Sequence, residues 1–406
     1  MEYREIGRTG LSAGIIGLGS EHLDNKPYAT VEETIHAALD HGINLMDLFM
    51  PGEEVRSNIG RALAGRRDRM MIQGHICSVD LNRQYDISRD LATCRKYFEN
   101  LLRCLNTDYI DFGMLFFIDS AEDFSSVFES DLLEYAQQLK RKGTIRAIGA
   151  SSHNPVTARR VVESGVVDLL MFSVNPAFDM MPPETDLETM IGDPAGSMTG
   201  MNPVRADLYR LCEQRGVGIT VMKTLGAGKL LSREHTPFAE PLTVGQCIHY
   251  ALTRPAVVST LIGCQSAAQV AEAVGYLDLS ESERDYAPVV GSRRNDFKGN
   301  CVYCSHCQPC PAGIDIAAVN KYLDIARLDE AHIPPGIAQH YRSLKKHGSD
   351  CIGCGSCEYA CPVRPERAIV VRPVPIQVRS TDPEEYFRTH AKPAEPAPAG
   401  DDGWLI

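Results

Sequence analysis

Eight of the fourteen cysteines fall between residues 301 and 361, in two groups. The first reads Cys301-x₂-Cys304-x₂-Cys307-x₂-Cys310-Pro311, and the second Cys351-x₂-Cys354-x₂-Cys357-x₃-Cys361-Pro362. Three thiolates spaced by two residues wrap one face of an iron–sulfur cubane, and a remote cysteine closes it. A proline after the fourth cysteine turns the chain away and sends that thiolate to the other cluster. The spacing therefore assigns Cys301, Cys304, Cys307 and Cys361 to one [4Fe–4S] cluster. It assigns Cys351, Cys354, Cys357 and Cys310 to a second. A pair of zinc sites is the competing reading, because CxxC is also a zinc motif. Zinc needs neither three equally spaced cysteines nor the Cys-Pro that follows them, and iron–sulfur is the better account.

Charge and composition narrow the setting. Residues 291–375 hold eleven Lys and Arg against eight Asp and Glu, whereas the whole chain has 41 against 53, a net −12. A [4Fe–4S] cluster with four thiolates carries about −2, which that local basic excess offsets. The acidic chain as a whole argues against a nucleic-acid or anionic-membrane partner. With 44% apolar and 23% charged residues it has the balance of a globular protein. No apolar run reaches ten residues, which excludes a transmembrane helix. Met1-Glu-Tyr-Arg-Glu carries no apolar signal segment, so a cytoplasmic protein is expected and a disulfide framework is not. The six other cysteines, Cys77, Cys94, Cys104, Cys212, Cys247 and Cys264, are scattered.

The elements that position any further chemistry lie upstream. Short apolar strands are expected at Ile15–Leu18, Asn44–Asp47, Met70–Ile76, Asp111–Phe116, Ala147–Gly149, Asp168–Phe172, Gly218–Met222 and Ser259–Ile262. Amphipathic helices are expected between and after them, with Ser88 and Thr243 as caps and glycine after several helix ends. Eight strand–helix units in about 270 residues give the rhythm of a (β/α)₈ TIM barrel. An open doubly wound sheet is the runner-up, but Ile15-Ile-Gly-Leu-Gly-Ser-Glu-His lacks its three-glycine turn. The expected class is α/β: a barrel over 1–285, a small α-helical iron–sulfur domain over 286–376, and an extended C-terminal tail over 377–406. One connection, Asn175–Pro203, holds five methionines and is long enough to overhang the barrel mouth.

Chemistry on a parallel barrel sits at the C-terminal ends of its strands. Here those ends carry Glu21, His22, Asp47, His75, Phe116, Phe117, Asp119, Ser151 to His153, Asn175, Lys223 and Gly263. A carboxylate beside an imidazole orients it and raises its basicity, so Asp47 and His75 form a candidate proton-handling pair. His153 and Lys223 are further candidates facing the same mouth. For Lys223 the plainer reading is a rim ion pair with Glu21 or Asp119, and for His75 a hydrogen-bonded rim residue. Gly226-Ala-Gly228-Lys229 offers a weak signal for close approach to a pyrophosphate.

These stretches resemble the aldo/keto reductase superfamily. Gly42-Ile-Asn-Leu-Met-Asp47 resembles its second strand and Glu54-Val-Arg-Ser-Asn-Ile-Gly60 the helix that follows. Asp108-Tyr-Ile-Asp-Phe resembles the approach to its fourth strand. Gly143-Thr-Ile-Arg-Ala-Ile-Gly-Ala-Ser-Ser-His resembles the fifth, and Ile262-Gly-Cys-Gln-Ser-Ala-Ala-Gln-Val the eighth. The two cysteine groups resemble the ferredoxin-like extension of a branch found in anaerobes. The superfamily's catalytic tetrad is Asp, Tyr, Lys and His. Asp47 matches the first, while Gly52, His75 and Phe116 stand at the other three positions, so the machinery of tyrosine-assisted carbonyl reduction is missing. The resemblance also implies a nucleotide site at Ser151, Gly263, Gln265, Ser266 and Gln269. Gln265 stands where an arginine usually grips a 2′-phosphate, which weakens a preference for NADPH. NADH, a flavin or no nucleotide stay open.

The expected function is an iron–sulfur oxidoreductase that moves electrons through two [4Fe–4S] clusters to or from a small-molecule substrate. A redox partner protein, ferredoxin or flavoprotein, would fit it. Two alternatives stand beside this: a lyase or isomerase with structural clusters, and a non-catalytic electron-transfer subunit.

Overall fold

In a computed structural model, the structure describes residues 1–80, 85–180, 203–291, 301, 307–328, 338, 341–361 and 367–372. An antiparallel pair, β1 (Tyr3–Glu5) and β2 (Ser12–Gly14), opens the chain. The strands that follow are β3 (Ile16–Gly19), β4 (Leu45–Leu48), β5 (Met71–Ile76), β6 (Ser78–Asp80), β7 (Tyr85–Ile87), β8 (Ile110–Leu115), β9 (Ile145–Ser152), β10 (Leu169–Ser173), β11 (Gly218–Met222) and β12 (Val257–Gly263). Strands β3, β4, β5, β8, β9, β10, β11 and β12 pair in that order, all parallel, and β12 closes on β3. The fold is a closed eight-stranded α/β barrel of the TIM type, and each of the eight overlaps an expected strand. Strands β6 and β7 form a separate antiparallel hairpin after β5.

The alternation of side chains along each strand explains the barrel's filling. Inward positions at the base are apolar: Leu45, Met71, Phe112, Ala147 and Leu169 cluster with Ile6 and Ala13 of the opening hairpin, which plugs the floor. Two or four residues further along stand Asp47, His75 and Ser151 on the same strands and Phe116 just past the end of β8. Outward positions pack the surrounding helices in one large apolar cluster. Thr243 caps the helix Val244–Leu252 and forms a reciprocal box with Gln246, as expected. The expected cap at Ser88 is corrected. The helix spans Leu91–Leu105 and Asp90 accepts from Thr93 N, while Ser88 Oγ instead receives Asp90 N at 3.2 Å.

The long connection is entered through the short helix Pro176–Met180 and left through the helix Pro203–Arg215. Most of it, 181–202, lies outside the described residues, as does the tail 377–406. Its two flanks are clamped together by a buried network. Asp179 accepts from Arg205 Nε at 2.8 Å, Tyr209 Oη at 2.6 Å and Tyr250 Oη at 3.0 Å. The chain divides into two compact units, one holding the barrel and the other the cysteine-rich stretch. Among the described residues, no helix is long and apolar enough to cross a membrane.

Candidate functional site

Register places the mouth of the barrel. Asp47 on β4 is paired with Gln73 on β5, and His75 stands two residues further along that strand. Asp47 Oδ1 receives His75 Nε2 at 2.7 Å and Gln73 Nε2 at 3.1 Å. All three side chains are buried. The His75 ring lies edge-on to Phe116 at 5.0 Å and to Phe49 at 6.1 Å. Phe49 and Phe116 stack on each other at 5.9 Å, and Tyr85 of the β6–β7 hairpin meets Phe49 edge-on at 5.1 Å. Within this apolar box His75 Nδ1 has no hydrogen-bond partner among the described residues.

A buried polar atom without a partner marks a place where something else can bind. A carboxylate only accepts, so an ionised Asp47 leaves the His75 proton on Nε2 and the lone pair on Nδ1. The aromatic walls exclude water from that lone pair. Gly52 is the residue before the helix Glu53–Ala62, and a Cβ added there would meet Val55 at 3.5 Å and Asp24 at 3.9 Å.

His153 is held elsewhere. Its Nδ1 lies 2.9 Å from Asp119 Oδ2, its backbone N–H donates to Asp119 Oδ1 at 2.6 Å, and Ser152 Oγ reaches the same oxygen at 3.0 Å. Burial alone would push the Asp119 carboxyl up, but the His153 ring and these hydrogen bonds outweigh it and hold the group below its ordinary value. Ser151 is buried on β9, where its Oγ receives Phe117 N at 2.9 Å. Phe117 then joins the two groups, touching Phe116 at 5.9 Å and His153 at 5.1 Å. Arg89 fixes the same corner by donating to the carbonyls of Phe116 at 2.9 Å and Phe117 at 2.7 Å. Lys223 takes neither suggested ion pair and makes none among the described residues; its carbonyl accepts from Asn175 Nδ2 at 2.9 Å.

Three non-glycine residues just past strand ends adopt the left-handed backbone: Cys77 at φ 78°, Phe117 at 57° and Lys223 at 62°. Such residues cost on the order of 1–3 kcal/mol each and concentrate where a site is built. The turn after β11 continues in that region at Gly226, Ala227 and Gly228.

On the β12 side, Gly263 lies against His22, whose ring would sit 2.6 Å from any Cβ added there. Ser266 caps the next helix by accepting from Gln269 N at 3.4 Å, and Gln269 Oε1 accepts from Gln265 N at 2.7 Å. Lys26 Nζ donates to Gln265 Oε1 at 3.0 Å. Sequence spacing gave no sign of this, because Lys26 arrives from the opposite end of the barrel sequence.

The cysteine-rich unit stands by itself. Cys307 is buried with Ile314 and Ile316, and Cys310 and Cys357 pack on that small cluster. Cys361 is buried, Cys301 half-buried, and Cys351 and Cys354 exposed. Cys304 lies outside the described residues. Gly353 and Gly355 adopt left-handed turns at φ 72° and 75° between the second-group cysteines. Gly353 N donates to Cys351 Sγ at 3.4 Å, and the thiols of Cys351 and Cys354 lie close enough to act on Cys357. Among the described residues no three Cys, His, Asp or Glu groups converge tightly enough for a single metal ion. The donor set, all thiol and spaced by left-handed glycines in the second group, fits an iron–sulfur cluster by its chemistry.

Comparison with known proteins agrees with this division. The model of the aldo/keto reductase family matches residues 11–241, and that of a 4Fe-4S binding domain matches residues 345–365. An aldo-keto reductase from Bacillus halodurans in its holo form superposes with a TM-score of 0.55 at 21% identity, covering 70% of this chain and 94% of that one. An aldo-keto reductase from Klebsiella pneumoniae in complex with NADPH gives 0.50 at 17% identity, covering 70% of this chain and 93% of that one. No curated protein matches the sequence.

Proposed function

This chain belongs to the aldo/keto reductase family, and from that premise we propose that it is a cytoplasmic iron–sulfur oxidoreductase with a non-standard catalytic set. Two [4Fe–4S] clusters, when bound, would supply the electrons exchanged with a small organic substrate at the barrel mouth. One observation carries the reading: a buried Asp47–His75 pair with an open Nδ1 lies on the same chain as a 4Fe-4S binding domain.

When bound, the clusters supply single electrons at low potential. Cys301, Cys304, Cys307 and Cys361 would hold one, and Cys351, Cys354, Cys357 and Cys310 the other. The chain's own residues manage the proton. Asp47 orients the His75 ring through the 2.7 Å contact and stabilises it once it is charged. His75 Nδ1 takes a proton from the substrate or returns one to it. Phe49 and Phe116 keep bulk water away, so the proton goes to the substrate rather than to solvent. Tyrosine-assisted hydride transfer has no proton donor here, because Gly52 and Phe116 cannot donate a proton.

A nicotinamide nucleotide or flavin is a further element of the proposal. Ser151, Gly263, Gln265, Ser266 and Gln269 would hold it, and Lys26 beside Gln265 brings the positive charge that the β12 loop lacks. A ferredoxin or flavoprotein is the matching redox partner.

The test is the ultraviolet–visible spectrum of anaerobically purified protein. Broad cluster absorption should bleach with dithionite and return when a substrate is added, and NADH or NADPH should bleach it if a nucleotide feeds the clusters. A spectrum without cluster absorption overturns the reading.

A further inference from the structure

Gln73 is wholly buried inside the barrel, on β5, two residues before His75. A buried glutamine amide offers two donors and one carbonyl acceptor, and a fold ordinarily satisfies all of them. Here both contacts come from Nε2, to Asp47 Oδ1 at 3.1 Å and to the Met171 sulfur at 3.8 Å. Oε1 is left buried without a hydrogen-bond partner among the described residues. Reversing the amide would exchange its two ends and set Oε1 against Oδ1, two acceptors with no proton between them unless Asp47 carried one. The amide instead keeps its donor on Asp47 and leaves its own carbonyl unmatched.

Asp47 has little other support. Among the described residues no lysine or arginine pairs with it, and its ion-pair contact is His75. Its backbone is fixed separately, because its carbonyl accepts from Ser20 N at 3.2 Å and from Ser20 Oγ at 2.5 Å. What Gln73 governs is therefore the carboxylate alone. The titratable groups that described contacts place about the His75 ring are Asp47 on β4 and, behind Phe49, Tyr85 of the β6–β7 hairpin. Strand β5 brings Gln73, and the end of β8 brings Phe116. A negative carboxylate beside a neutral imidazole is costly among aromatic walls unless hydrogen bonds to the charged form offset that cost. With one donor removed, the pair takes up a proton. Whether that proton settles on the ring or on Asp47, Nδ1 becomes an N–H. In the first case both ring nitrogens are protonated, and in the second a neutral ring accepts at Nε2 from the Asp47 acid and carries its own proton on Nδ1.

We propose that Gln73 is the positioning residue of the barrel mouth: its Nε2–H, held on Asp47 Oδ1, keeps the carboxylate ionised and the His75 lone pair on Nδ1. Gln73 touches no substrate and acts through Asp47. This role rests on the reading of His75 Nδ1 as the atom that takes the substrate's proton, and it adds the residue that keeps that atom free to do so. A side chain of similar size that cannot donate should therefore disarm His75. The strand, the Ser20 anchor and the aromatic walls would stay in place.

The experiment uses the full chain, purified without oxygen and labelled with nitrogen-15 at histidine. Ring-nitrogen magnetic resonance at neutral pH separates a protonated nitrogen from one that keeps its lone pair. His75→Gln identifies the His75 signals among those of the twelve histidines. In the parent, Nε2 should carry the proton and Nδ1 should not. In Gln73→Met the unprotonated Nδ1 signal should be lost and an N–H should replace it, with circular dichroism and the other histidine signals unchanged. Gln73→Leu removes the same donor with a smaller side chain and should give the same result, which covers a thioether that disturbs folding. A parent whose Nδ1 is already protonated would overturn the reading of His75 as the base, and the role of Gln73 with it. An unprotonated Nδ1 in the parent and in the Gln73 variants alike would overturn the role of Gln73 and leave that reading standing.

Discussion

Asp111 and Asp168 at the base of the barrel and Asp47 at its mouth are all buried and are partnered very differently. At the base, Asp111 meets Arg146 at 3.0 Å through Oδ1, and Arg67 at 3.2 Å and Ile72 N at 3.0 Å through Oδ2. Asp168 likewise meets Arg8 at 2.9 Å through one oxygen and Lys140 at 2.6 Å through the other. At the mouth, both contacts of Asp47 fall on Oδ1, and the Nδ1 of its partner His75 and the Oε1 of Gln73 are left buried without one. The base uses charge to hold strands to neighbours, with every carboxylate oxygen matched. The mouth keeps hydrogen-bonding capacity in reserve, surrounded by strained residues. A fold can tolerate such a reserve where a ligand completes it, and the same deficit at the base would only destabilise.

Replacing His75 by alanine should break this contrast most visibly. If the mouth handles the proton, turnover of whichever substrate reoxidises the dithionite-reduced protein should fall by roughly 10²–10⁴-fold, with iron content unchanged. A rate equal to the parent's would remove His75 from the chemistry. The base answers to the opposite readout. Asp111→Ala strands the buried Ile72 N–H and Arg67 together, so denaturant unfolding should show a loss of about 2–3 kcal/mol. The rate per folded molecule should stay as it was, and a large fall in that rate would mean the base is not merely structural.

Acid sharpens the comparison with a smaller effect. Burial raises Asp168, but hydrogen bonds from Lys140 and Arg8 and their charges outweigh it, leaving the group below its ordinary value. A carboxyl depressed in the folded state stabilises the protein above its unfolded pKa, about 3.9. That stability is lost as pH falls through this value toward the lower folded one. Asp119, depressed by His153 and its hydrogen bonds against burial, contributes in the same direction. Unfolding midpoints followed from pH 6 downward should therefore drop across the ordinary carboxylate range. In Asp168→Asn the fall should be shallower, and an identical slope would show that the pairing with Arg8 and Lys140 adds nothing.

Much of this was legible in the sequence because its signals are local. All eight barrel strands overlap expected ones, since an apolar run between a turn and an amphipathic helix is a short-range pattern. The 4Fe-4S binding domain matched at residues 345–365 was legible for the same reason, with Cys351, Cys354 and Cys357 recurring every third residue. Pairings across the chain were not. Asp119 and His153 are 34 positions apart, and Lys26 and Gln265 are 239 apart; nothing in either neighbourhood names the other. The pairs β1–β2 and β6–β7 have strands of three residues, too short to show a period.

The proposed function stands or falls on electrons entering this barrel protein through iron–sulfur clusters held by the two cysteine groups. Iron and acid-labile sulfide, measured together with zinc on protein purified without oxygen, test it most directly. Iron and sulfide are expected in equal amounts, enough for two four-iron clusters per chain, with no stoichiometric zinc. Zinc at full occupancy with neither iron nor sulfide would contradict it.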